Sequence, residues 1–143
     1  MRMMGLDVGD RRIGVALCDP LQIVSRALTT IKRDKEQTEF TQIVSLVNLH
    51  GVERIIVGLP RLWDGGIGTQ AEKTTEFADQ LASMTRIPIE MFDERLSTDL
   101  AEDMLRDSGK SDKEIRQMKD EAAAALILQW YIDEKAGILE LDH

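Results

Sequence analysis

The chain has 143 residues, with 18 Lys and Arg against 26 Asp and Glu for a net charge of −8, and a pI near 4.8. That length is expected to form a single domain, 1–143, large enough for a two- or three-layer core. The charge excludes nucleic-acid binding by bulk electrostatics, so any such contact must be local, through a patch such as Arg11, Arg12, Arg61 and Arg95 or through metal ions. No apolar run approaches the roughly 20 residues that span a bilayer. The N-terminus MRMMGLDVGD enters a strand pattern at once instead of reading as a leader, so the expected compartment is cytoplasmic, with no membrane partner. The single cysteine, Cys18, excludes an intrachain disulfide and reads as a small buried hydrophobe.

Gly5–Asp19 reads as two strands joined by a tight turn. Met4, Leu6 and Val8 share one face and Met3, Gly5 and Asp7 the other; across the turn Ile13, Val15 and Leu17 alternate with Gly14, Ala16 and Cys18. Gly9-Asp10 supplies the turn, its glycine allowing a positive φ or a close backbone approach. Asp7 is thus a carboxylate in mid-strand, where aspartate is disfavoured. Beside Gly5 and Gly9 it is placed to hold a cation or a phosphate-bound metal; the alternative is a hairpin residue facing solvent.

Ile23–Lys32 continues the β pattern as a third antiparallel strand, with Pro20 in the connecting turn. Polar residues from Arg33 to Glu39 open a helix in which Phe40, Ile43, Val44 and Val47 recur at helical spacing. Gly51 stops it after His50, a cap-compatible residue; the other histidine, His143, is the last residue, so histidine-based catalysis is not expected. Val52–Gly58 is a buried strand followed by a glycine-rich loop from Arg61 to Gly68, read either as a surface connection or as a flap carrying Arg61, Trp63 and Asp64. Thr69–Met84 forms an amphipathic helix, and Ile87–Phe92 a strand delivering Asp93-Glu94-Arg95 at its carboxyl end. Ser97 or Thr98 caps a helix over Asp99–Arg106. Asp107–Met118 is a polar excursion or marginal helix broken at Gly109-Lys110, and Asp120 begins an apolar helix that ends near Gly137. The order is βββαβαβα, an α/β mixed sheet with helices on both faces.

Three acids stand at strand centres or element ends: Asp7, Glu94 and Asp120. Mg²⁺ and Mn²⁺ take oxygen ligands, and two such ions a few ångströms apart activate a water and stabilise the leaving oxygen in phosphodiester cleavage. Each acid also has a plain structural reading: Asp120 as a helix cap, Glu94 as a partner of Arg95, Asp7 as a hairpin residue.

Four blocks decide how the chain is further read. They are Leu6-Asp7-Val8-Gly9 with Arg12-Ile13-Gly14-Val15-Ala16, then Val57-Gly58-Leu59-Pro60 with Asp64-Gly65, then Asp93-Glu94-Arg95-Leu96-Ser97-Thr98, and last Asp120 with the alanine run to Ile127-Leu128-Gln129. In this order they resemble the YqgF family, also called RuvX, within the ribonuclease H-like superfamily, and they cover nearly the whole chain. The resemblance implies a ribonuclease H-like fold and a metal-dependent nuclease with catalytic and metal-holding residues Asp7, Glu94 and Asp120, using Mg²⁺ or Mn²⁺, two ions. It makes Arg12 and Arg95 candidates for phosphate contact, with Asp93 in support; Arg61 is a further candidate substrate contact on its charge and its place in the glycine-rich loop. The substrate it implies is RNA, in 5′-end processing of pre-16S rRNA with the small ribosomal subunit or its precursor as partner; the alternatives are Holliday junction cleavage on branched DNA and a non-catalytic ribosome-assembly factor. Arg61 and Trp63 depart from the family's pattern in their loop. A nucleotide-binding module like the actin-like and sugar-kinase ATPases shares the sheet but needs a second lobe that this length does not accommodate.

Overall fold

The alternation in the first hairpin organises the sheet seen in a computed structural model, which describes residues 2–60, 68–94 and 97–137, the side chains of 94 and 97–100 excepted. The elements are β1 (Arg2–Val8), β2 (Arg12–Cys18), β3 (Ser25–Lys32), α1 (Thr38–His50), β4 (Val52–Pro60), α2 (Thr69–Ala82), β5 (Ile89–Glu94), α3 (Ser97–Asp107) and α4 (Asp112–Lys135). The strands form one sheet ordered β3-β2-β1-β4-β5. The β1–β2 and β2–β3 pairs are antiparallel, whereas β4 runs parallel to β1 and β5 parallel to β4. This is the expected mixed sheet, with two helices in place of one after β5.

The two faces of the first hairpin feed two cores. Met4, Leu6, Val8, Ile13 and Val15 pack with Phe40, Ile43 and Val47 of α1 and Phe77 and Leu81 of α2. On the opposite face Met3, Ala16, Cys18 and Ile56 pack with Ala124, Ile127, Leu128, Tyr131 and Ile132 of α4. Burial holds the Cys18 thiol above its ordinary pKa, and the Met3 N–H donates to its Sγ at 3.1 Å, so it is a core residue.

Several boundaries differ from expectation, each for a local reason. β3 starts at Ser25 because the Asp19 carboxylate accepts the N–H groups of Ile23 and Val24, at 2.7 and 2.8 Å, and holds both in the preceding loop. α1 starts at Thr38, late in the polar stretch 33–39 expected to open it: Gln37 takes a left-handed φ of 58° and Asp34 accepts the Thr38 N–H at 3.0 Å. Gly51 stops α1 as expected, with φ 64°. β4 extends to Pro60 and β5 to Glu94, so Asp93 and Glu94 belong to the strand instead of following it. α3 begins at Ser97, which is therefore its first helical residue. The expected break at Gly109-Lys110 is present, Gly109 having φ 90°, but the helix resumes at once. Ser111 and Glu114 close a reciprocal capping box, and α4 runs unbroken from Asp112, which places Asp120 in its interior and not at its start.

An ion pair braces the first turn from the α1 side. Arg33 Nε binds the Glu39 carboxylate at 3.1 Å, its guanidinium donates to the Gly9 carbonyl at 2.9 Å, and it lies over the Phe77 ring at 5.3 Å. The Glu39 side chain is only 2% exposed, against 27% for Arg33. Arg33→Ala leaves that carboxylate buried and unpaired and is expected to cost on the order of 2 to 3 kcal/mol, less than a fully buried pair because Arg33 is partly solvated. Urea denaturation checks this.

At the far end of the sheet Tyr131 donates its hydroxyl to Glu90 Oε1 at 2.8 Å. Burial first, then the bond to Glu90, pushes Tyr131 up to about 12. Below the unfolded value near 10 both states hold the proton; as pH rises from there through the folded value, the unfolded state loses it first and stability falls. Tyr131→Phe is expected to cost about 1 kcal/mol at neutral pH and to flatten the stability loss across that alkaline window, measured by urea denaturation as a function of pH.

Candidate active site

Asp7 reaches the α4 side of the sheet through a chain of backbone constraints. It is the direct cross-strand partner of Gly14, and partners in an antiparallel pair point to the same face. A Cβ on Gly14 would stand 1.8 Å from the Asp120 carbonyl oxygen and 2.8 Å from the Glu121 nitrogen. Two residues before Asp7, a Cβ on Gly5 would stand 2.8 Å from Leu128 Cβ and 2.9 Å from the Ala124 carbonyl oxygen. The helix therefore runs antiparallel to β1, with Asp120 over the Asp7–Gly14 row and Ala124 and Leu128 over Gly5. Only residues without a side chain permit that approach. Asp7 and Asp120 are thus brought to one spot, both half-buried.

Arg12 opens β2 and reaches across to α4, its Nε donating to Asp120 Oδ2 at 2.9 Å. The two side chains are 46% and 18% exposed, so the acid is held while the guanidinium keeps much of its surface in solvent. Gly9 makes the close approach expected of it without a positive φ: its N–H donates to the Arg12 carbonyl at 2.8 Å, and a Cβ there would stand 2.9 Å from that oxygen.

Glu94 closes β5, its backbone paired with Pro60, and by strand alternation its position shares the face of Phe92, which packs on the α4 side. The Glu94 side chain lies outside the described residues, as do Arg61, Trp63, Asp64 and Arg95. Asp93 is exposed and sits on the opposite alternation of β5. Among the described residues no group of three His, Cys, Asp or Glu side chains is gathered to hold a metal; the described acids are the pair Asp7 and Asp120.

Glu121 was not singled out in the sequence, although its place directly after Asp120 is a signal. Burial, and secondarily the neighbouring charge of Asp120, raises its pKa above the ordinary carboxylate value. Hard oxygen donors, no imidazole and a buried thiol far along β2 make a donor set suited to Mg²⁺ or Mn²⁺ and unsuited to soft metals.

The sheet order and the helix laid across β1 define the class: this is a ribonuclease H-like fold. The chain resembles Thermus thermophilus RuvC in complex with a Holliday junction substrate, at TM-score 0.58 and 14% identity, over 96% of this chain and 98% of that one. It also resembles the fowlpox virus resolvase bound to Holliday junction DNA, at TM-score 0.56 and 10% identity, over 94% and 99%. Within that class the family model described as "RuvX: Holliday junction resolvase" matches residues 1–134, and the chain belongs to the RuvX family. A relative from Desulforamulus reducens named "Putative pre-16S rRNA nuclease" is 42% identical over 95% of this chain and 99% of its own length. Another of the same name, from Moorella thermoacetica, is 44% identical over 93% and 95%.

Gly14→Ala tests the seam. Its methyl group would meet backbone, which cannot swing aside, so α4 must lift from the sheet. The expected loss is on the order of 3 kcal/mol or more, the upper end for overpacking, read by urea denaturation.

Proposed function

We propose that this chain is a divalent-metal-dependent nuclease that hydrolyses phosphodiester bonds. The observation that carries the reading is the convergence of Asp7 and Asp120 across Gly14, with Arg12 bound to the second acid. Asp7, Asp120 and Glu94 would hold the metal, Mg²⁺ or Mn²⁺ and two ions in the family's pattern. When bound, such ions lower the pKa of the attacking water and stabilise the leaving oxygen.

The protein's own part is placement. Asp7 is fixed by strand pairing and Asp120 by an α-helix packed on glycine, so neither carboxylate depends on a loop for its position. Arg12 takes one oxygen of Asp120 and fixes its rotamer, while its solvated guanidinium is available to a phosphate oxygen. Arg95, next in sequence after β5, is assigned to the substrate strand on the family's motif, and Arg61, next after β4, on its charge.

For the substrate we favour RNA, in 5′-end processing of pre-16S rRNA in the cytoplasm, supported by the names of relatives matched over nearly their whole length. The second reading is cleavage of branched DNA, favoured by the family's description and by two fold relatives bound to Holliday junctions. Symmetric junction cleavage requires two active sites related by a two-fold axis, whereas RNA trimming does not.

Asp7→Asn is expected to lower cleavage about 100-fold or more on the preferred member of a set comprising labelled precursor rRNA, single-stranded RNA and a four-way DNA junction. Chelator should do the same, and Mg²⁺ or Mn²⁺ should restore the wild type only. Full activity in Asp7→Asn overturns the reading, and absence of cleavage on every substrate favours an assembly factor that retains the fold.

A further inference from the structure

The proposed site offers Arg12 to one phosphate but assigns no described residue to the rest of the strand, in a chain whose net charge is −8. The path is supplied by a part of α4 that sequence alone had left outside the helix. Asp120, Ala124, Ile127, Leu128 and Tyr131 recur at three- and four-residue spacing and face the sheet. Asp120 lies over the Asp7–Gly14 row, one residue from the end of β1, and α4 continues for two further turns beyond it to Asp112. Carried toward the N-terminus at the same spacing, the sheet-facing stripe passes through Gln117, Arg116 and Lys113.

These three residues sit where a sheet-facing stripe is normally apolar, yet all three are exposed, because the sheet has ended beneath them. The acids of these turns point elsewhere: Asp112 and Glu114 project about a quarter-turn or more from the stripe, and Glu114 is folded back into the Ser111 cap. Lys119, also off the stripe, is paired with Glu102 of α3 at 3.7 Å. Among the described residues, this stripe therefore sets two cations and an amide in line with Asp120 and adjoining the half-exposed Arg12.

We propose that Lys113, Arg116 and Gln117 form the surface on which a single RNA strand lies as it enters the site, Lys113 and Arg116 each neutralising one backbone phosphate next to the one cleaved. This rests on the nuclease reading and extends it from the cleaved bond to its flank. Direction follows from the fold: the strand leaves Asp7 and Asp120 toward the N-terminal end of α4, away from the sheet. Gln117 offers hydrogen bonds to phosphate or sugar without charge.

Binding is measured apart from chemistry, with the Asp7→Asn protein, without metal, by fluorescence anisotropy of labelled single-stranded RNA from about 50 to 200 mM salt. Lys113→Gln and Arg116→Gln should each reduce the steepness of log affinity against log salt by about 0.7, and the double variant by about 1.4, the increment for one and two single-strand phosphate contacts. Lys135→Gln, at the opposite end of α4, should leave the slope unchanged. Because the stripe is solvated, thermal melts of the variants should match the parent. An unchanged slope in the double variant overturns the proposal, as does an equal fall with Lys135→Gln. A fall seen with a four-way DNA junction but not with RNA overturns the choice of strand. If the stripe variants lose affinity but Asp7→Asn in the wild-type chain still cleaves, the nuclease reading fails and the binding surface stands. If Asp7→Asn abolishes cleavage but the slope does not move, the reverse holds.

Discussion

The contact between Gly14 and the backbone at Asp120 is the constraint on which the site depends. An α-helix ordinarily stands off a sheet by the thickness of two layers of side chains. Here the sheet contributes none at Gly14 and Gly5, and helix backbone meets strand backbone. That close seam runs along the same strand pair that carries Asp7, so the distance from one acid to the other is set by main-chain packing instead of side-chain rotamers. The alanines at 123 and 124, both fully buried, continue the same logic along α4. Small residues on both sides of the seam give up hydrophobic area in exchange for precision, and the large apolar side chains of this face, Ile127, Leu128, Tyr131 and Ile132, gather further along the helix.

The other face of the sheet completes the support. The turn between β1 and β2 carries Arg12, yet the turn itself has no core beneath it. It is tied instead by polar groups from the loop after β3 and from α2. Arg33 donates through its side chain to Gly9 and through its backbone N–H to the Arg11 carbonyl, while Gln70 of α2 donates to the Val8 carbonyl at 3.3 Å. The Arg33–Glu39 pair, its acid buried and its guanidinium part-exposed, lies against Phe77, which stacks on Phe40 with ring centroids 4.7 Å apart. A buried ion pair is weak evidence for stability, but it is directional, and here its direction fixes a turn that hydrophobic contacts do not reach. One face thus sets the separation of the acids, and the other sets the orientation of the loop that presents the guanidinium to them.

Much of this was legible in the sequence, and what was not had physical causes. The two unlike faces of the first hairpin follow from strict alternation, and the faces found are those expected. Asp7 stood out because aspartate is disfavoured in mid-strand. The convergence of Asp7 with Asp120 could be read from the family resemblance but not from spacing, since it rests on a contact between backbones whose traces are the glycines at positions 5 and 14. Asp120 was misread as a helix start because the two turns before it are mostly polar, their Ile115 and Met118 lying off the sheet-facing stripe. Those turns project beyond the sheet, so their sheet-facing positions have nothing apolar to meet, and the periodic signal ends although the helix does not. Likewise the residues from Arg33 to Glu39 look like the solvated opening of a helix, because composition does not reveal that Glu39 is buried on Arg33.

The acidity of the chain, which weighs against nucleic acid when only the sum is known, weighs less once charges have positions. Glu90, the acidic centre of the far cluster with Arg54, Tyr131 and Lys135, sits near the start of β5, at the end of the sheet opposite Asp7 and Glu94. A strand of β1's length, seven residues, spans roughly 20 Å at about 3.3 Å per residue, and the screening length at physiological ionic strength is about 8 Å. Charges at the two ends of the sheet are therefore largely independent in solution. Near the site several acids are engaged: Asp120 by Arg12, Glu102 by Lys119, Glu114 by the Ser111 cap. A polyanion meeting that end encounters Arg11, Arg12, Lys113 and Arg116, all in contact with solvent, around two carboxylates whose chemistry is to attract cations. Cations drawn to the acids and a polyanion drawn to the basic rim favour the same encounter, so the negative sum of the chain does not by itself oppose it.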